Sequence, residues 1–181
     1  MLKFHTRDFK GKSILLLFIL TNAVYAFMLL YTIPKVMAYA DGMKLLDMMP
    51  GGYSPEYVRQ LFEALGKEGR NAYLSLQLPV DMIYPALFAL SYSSLLAFFL
   101  RKLRNPGIWM FAFCYLPILA GFADYTENIF FIWFLKSYPN LPEGLIKISS
   151  AFSVVKGVST SVYFVCLIAI LIALGIQKIK K

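Results

Sequence analysis

Apolar residues run almost unbroken through four stretches, 13–33, 74–100, 107–136 and 151–176. Each is long enough, at about 1.5 Å per residue, for a helix to cross the roughly 30 Å hydrocarbon layer of a bilayer. Between the first two lies the longest polar connection, 34–73, and it has a helical pattern of its own. Val58, Leu61, Phe62 and Leu65 recur at i, i+3, i+4 and i+7, opposite Arg59, Gln60, Glu63 and Ala64. Ser54 before Pro55 reads as an N-cap with proline in the first helical position, and Gly66 as the C-cap. A short amphipathic helix is therefore expected from Pro55 to Leu65, on the membrane surface or over the mouth of the bundle. The flexible apolar side chains between Met43 and Met49 are expected to pack beneath it. The pattern predicts an all-α fold and a single membrane domain, 1–181. It is an integral bundle of four transmembrane helices with the short helix in its first external loop.

The informative positions are the polar ones that interrupt the apolar stretches. In AGFADYTENIFFIWF, Asp124, Glu127 and Asn128 stand at i, i+3 and i+4, so they share one face of a single helical turn. From Ile108 to Leu135 there are thirteen Leu, Ile or Phe residues. At about 0.3 to 0.6 kcal/mol each they favour insertion by roughly 4 to 8 kcal/mol, against roughly 5 to 7 kcal/mol for two ionised carboxylates near a helix centre. Insertion then requires the acids to be protonated, paired with a cation, or turned into the bundle or a wet cavity.

Asp81 stands in the second stretch between Pro79 and Pro85, which can bend or open a helix, and Tyr84 follows it. Lys156 enters the fourth stretch ahead of Thr160 and Tyr163. In an antiparallel arrangement Asp81, Asp124, Glu127, Asn128 and Lys156 occupy one half of the bilayer, with Tyr84, Tyr125, Thr160 and Tyr163 available as walls. One lysine facing three carboxylates leaves acid in excess, and Arg70 is a candidate second cation. The bland alternative is that these groups only bind neighbouring helices together by hydrogen bonds. Lys156 and Ser161 do not make a serine–lysine nucleophile within one helix, being five residues apart.

Composition narrows the class. A 181-residue chain that is 59 % hydrophobic is too apolar for an ordinary soluble domain. The net charge of +8 does not point to nucleic acid, because most basic residues flank apolar stretches, where topology and anionic headgroups account for them. Lys3, Arg7, Lys10 and Lys12, then Arg101, Lys102 and Arg104, then Lys178, Lys180 and Lys181 crowd short segments. The 34–73 connection instead balances five basic residues with five acidic ones. Both termini are thus expected in the cytoplasm, with the chain in the cell's inner membrane. A cleaved leader is the competing reading of the first stretch, with Val24 and Ala26, or Ala38 and Ala40, as small-residue sites. The run of about 21 residues exceeds the roughly 7 to 15 of a leader's core. Cys114 and Cys166 lack a second ligand at metal spacing and read as packing residues; His5 sits in the basic tail. No metal or cofactor is implied.

Taken together, Gly52-Tyr53-Ser54, Leu65-Gly66, Gly69-Arg70 and Tyr73, then Asp81 with Tyr84-Pro85, then Asp124 with Glu127-Asn128, resemble a group of small bacterial four-span integral membrane proteins. The resemblance covers Gly52 to Asn128 and implies four spans, with no activity to carry over. The residues themselves favour binding or moving a small amphiphile or cation at an intramembrane acidic cavity, in contact with membrane lipid. An intramembrane enzyme acting on a lipid-like substrate, or a structural subunit joined to another membrane protein, are the alternatives.

Overall fold

Long helical runs, broken at prolines, set the architecture. The computed structural model describes residues 11–180; Lys3, His5, Arg7, Lys10 and Lys181 lie outside them. Among the described residues there is no strand. The helices are α1 (Gly11–Met37), α2 (Pro55–Ala64), α3 (Gly66–Leu100), α4 (Ile108–Ser137) and α5 (Glu143–Ile179). All but α2 are long and apolar enough to cross a membrane.

The four long helices alternate in direction. At one end Arg104 N donates to Gln177 Oε1 (2.9 Å) and Gln177 Nε2 to Lys102 O (3.3 Å), which ties the 101–107 turn to the end of α5. At the other end Phe62 of α2 packs edge-on against Tyr138, in the turn between α4 and α5. Ser54 Oγ accepts from Tyr57 N (3.2 Å) and so caps α2, while Gly66, at φ +58°, takes the left-handed conformation that separates α2 from α3. The apolar side chains Val58, Leu61 and Phe62 are buried against Leu45, Leu46, Phe134 and Ile146 rather than left for a membrane surface.

Three helices outrun their apolar stretches. α3 begins at Gly66 rather than 74, α5 at Glu143 rather than 151, and α1 continues past residue 33 to Met37. Hydropathy marks only the apolar part of a helix; Lys67, Glu68 and Lys147 form helix as readily as leucine does, and they extend α3 and α5 beyond it.

Four prolines lie inside the long helices, and two of them, Pro34 and Pro79, follow a π turn. Met28–Thr32 precedes Pro34, and Tyr73–Gln77 precedes Pro79. Proline has no N–H to donate and its ring crowds the carbonyl four residues back, so the wider turn relieves the clash. Thr32 and Gln77 each stand two residues before the proline and meet across the bundle, Thr32 Oγ1 donating to Gln77 Oε1. α3 breaks again at Met82–Ile83, just ahead of Pro85. Two apolar clusters form the core, one around Leu61, Phe62, Phe131 and Phe134, the other around Phe88, Tyr92, Leu96 and Tyr163. The outward faces are apolar as well, with Leu16, Leu90, Phe122 and Val165 exposed by 61 to 69 %.

Candidate functional site

The second break in α3 builds the site. Pro85 has no N–H for the carbonyl four residues back, which belongs to Asp81. Asn128 Nδ2 of α4 supplies that donor at 3.3 Å, so the backbone oxygen stays paired although the helix is open. Gly121 of α4 lets the two backbones come together, since a Cβ there would lie 2.8 Å from Pro85 O. Asp81 is 3 % exposed, and its Oδ2, itself closed off from solvent, has no hydrogen-bond partner among the described residues.

On the facing helices Lys156 holds two acids. Its Nζ lies 3.0 Å from Asp124 Oδ1 and donates also to Glu127 Oε2. Glu127 is fully buried, and its Oε1 accepts from Ser153 Oγ. Tyr53, from the connection after α1, places its hydroxyl 2.7 Å from Ser149 Oγ and 3.5 Å from Glu127 Oε1. Its backbone N donates to Ser150 Oγ at 2.8 Å, which fastens the connection to α5. Burial pushes the Tyr53 phenol above its ordinary range, and the Glu127 charge adds to this.

The connection brings a further carboxylate. Asp47 accepts from Tyr73 Oη at one oxygen and from Gln77 Nε2 (2.9 Å) at the other. It joins the π turn of α3 and, through Gln77, that of α1. Burial pushes the Asp47 carboxyl above the usual aspartate range, against the pull of the Tyr73 hydrogen bond.

These groups border a half-open cavity of about 460 Å³ between the two core clusters. α1 contributes Tyr25, Met28, Leu29 and Ile33; the connection Asp47, Met48 and Pro50; α3 Asp81, Tyr84 and Phe88; α4 Ala120 and Asp124; α5 Lys156, Gly157, Thr160 and Ser161. The Tyr25 and Tyr84 rings stack, centroids 5.4 Å apart.

Of the residues singled out in the sequence, Asp81, Tyr84, Asp124, Lys156 and Thr160 line this cavity. Glu127 and Asn128 are fully buried in its wall, the first ion-paired, the second bonded to backbone. Three expectations need correcting. Arg70 does not neutralise the acids: Nη1 donates to Phe62 O at 2.6 Å and the guanidinium lies 4.2 Å over the Tyr138 ring, which clamps α2 to the α4–α5 turn. Tyr163 does not line the cavity either. It packs against Phe88 and Tyr92 and donates to Tyr92 O at 2.8 Å, a bond that turns its hydroxyl into the core. Tyr125, half-buried, is likewise not among the lining residues. Ser161 and Lys156 do border one space, but the lysine is committed to two carboxylates and cannot serve as a free base.

Asp47 and Ser153 escaped the sequence reading. For Asp47 a signal existed: a lone acid between Leu45-Leu46 and Met48-Met49 has to find partners once its neighbours are buried. Among the described residues no group of three His, Cys, Asp or Glu side chains could hold a metal ion. No protein-family model, curated protein or solved structure matches the chain.

Proposed function

We propose that the protein is an integral membrane protein that binds or moves a small amphiphile or cation through the cavity between α1, α3, α4 and α5. The observation that carries this reading is Asp81, a carboxylate on the wall of a 460 Å³ cavity that no cation pairs among the described residues and whose occluded Oδ2 has no hydrogen-bond donor. A bundle that used its acids only as glue would pair them all, as it does with Asp124 and Glu127, and would fill the space between the helices. The volume falls in the range of small-molecule sites, roughly 300 to 1,000 Å³, and the walls are apolar with a few convergent polar groups.

The outward apolar faces support burial in lipid, since a protein in water rarely leaves such continuous apolar surface exposed. Lys12, Arg101, Lys102, Arg104 and Lys178 gather at the end of the bundle that holds the 101–107 turn. That bias favours a cytoplasmic location for this end in a bacterial inner membrane, with the cavity toward the other face. Native mass spectrometry of the full chain in lipid nanodiscs tests the reading. A bound small molecule is expected on the wild type and lost from Asp81→Asn; a wild type that carries only bulk lipid, identical to the variant, refutes it.

A further inference from the structure

Resting on the reading above, we infer that the cavity takes a monovalent organic ammonium with an aromatic or alkyl arm, its N–H group seated on Asp81. Charge decides the sign of the ligand. Among the lining residues Lys156 is the cation, and it is held by Asp124 and Glu127, so nothing positive remains to meet a carboxylate or phosphate. Asp47 has a donor on each oxygen. Asp81 Oδ2 has none, and a buried acceptor without a donor is costly until one arrives.

Chemistry decides the rest. A bare divalent metal ion favours several charged ligands at fixed distances, and among the described residues no three His, Cys, Asp or Glu side chains gather to supply them. An ammonium needs only one carboxylate and a ring face. The stacked Tyr25 and Tyr84 supply π faces on the same cavity, and Met28, Leu29 and Phe88 supply apolar wall for an arm. A primary, secondary or tertiary ammonium donates N–H to the Asp81 carboxylate on the cavity wall, whereas a quaternary one has no N–H to give. One unpartnered carboxylate matches one positive charge.

The test is calorimetric titration of the full chain, in nanodiscs of zwitterionic lipid, with three ligands of like shape: 2-phenylethylammonium, neutral 2-phenylethanol and anionic 3-phenylpropanoate. The ammonium is expected to bind at least tenfold more tightly than the alcohol, and the carboxylate not at all. Asp81→Asn, isosteric and uncharged, is expected to bring the ammonium down to the level of the alcohol. The ranking on wild type requires no variant to fold. Equal affinity for ammonium and alcohol, or a preference for the carboxylate, overturns the charge assignment and leaves an amphiphile site standing. Absence of binding by all three overturns this proposal; with no copurifying molecule as well, the functional reading falls with it.

Discussion

Replacing Lys156 with methionine removes the counter-charge of two buried acids while keeping a chain of similar length. Glu127 is fully buried, and its other oxygen has only Ser153 and the more distant Tyr53 hydroxyl, so loss of the ammonium leaves it without a counter-charge. Breaking a buried pair on one side costs roughly 3 to 5 kcal/mol. For a chain of this size each kcal/mol moves the melting temperature by about 2 to 4 °C, so a drop of roughly 6 to 20 °C is expected at pH 7. Circular dichroism during thermal unfolding, in a neutral detergent, reads the effect. The triple variant Lys156→Met, Asp124→Asn, Glu127→Gln carries no buried charge at these positions and should regain most of the loss. A deficit below about 1 kcal/mol, or a triple variant no more stable than Lys156→Met alone, would falsify the view that this ion triad holds α4 to α5.

Two further outcomes follow from the connection between α1 and α2. In an unobstructed helix, replacing glycine with alanine gains up to about 1 kcal/mol, and Gly175, with nothing within 4 Å of the place its methyl would take, should show that gain in melting temperature. Gly157→Ala should instead lose stability, because a Cβ there would lie 2.6 Å from Pro50 O and push the connection off α5; equal signs for the two variants would contradict the close approach. Asp47 supplies a pH test. Its folded-state pKa lies above the unfolded value of about 3.9, so its contribution to stability is greatest below about 3.9 and declines as pH rises through the folded value. Asp47→Asn lacks that decline, so its melting temperature relative to wild type should climb between pH 4 and pH 8; a constant difference would mean that the carboxyl is not perturbed.

Four long helices, and the acidic turn at Asp124 to Asn128, were legible because apolar runs and helical spacing are local properties. Pairing across helices was only partly so. Lys156 could be matched to the acids from depth alone, as one cation among carboxylates at similar distance from the helix ends. Arg70 looked equally available, yet a guanidinium finds a ring and a carbonyl more cheaply at the edge of the bundle than it enters the interior, and nothing in the sequence places Tyr138 beside it. Tyr163 falls one helical turn beyond Thr160, and whether it faced the cavity or the core depended on where Tyr92 O would lie. The π turns had a local cause in Pro34 and Pro79. Their consequence, that Thr32 meets Gln77 and that Asp47 is held beside them, required the fold of a 17-residue connection, 38–54, whose sequence carries little periodicity.

Lys156 and Asp81 separate structural acid chemistry from the kind kept for a ligand. Asp124 and Glu127 lose their partner when the lysine goes, so their role in the fold shows as instability. Asp81 has no partner at Oδ2 to lose. Leaving a buried acceptor unsatisfied costs about 1 to 3 kcal/mol, which the chain bears at this one carboxylate while pairing the other three. Natural sequences keep such a cost where activity needs it. Asp81→Asn therefore should melt no lower than wild type in the absence of ligand, and Asp81→Leu, which also fills space at the cavity wall, should melt higher by up to roughly 12 °C. Both would lose the ligand-induced rise in melting temperature. If either variant instead unfolds several degrees below wild type, Asp81 belongs with Asp124 and Glu127 as a fold-holding group, and the distinction between paired and waiting acids dissolves.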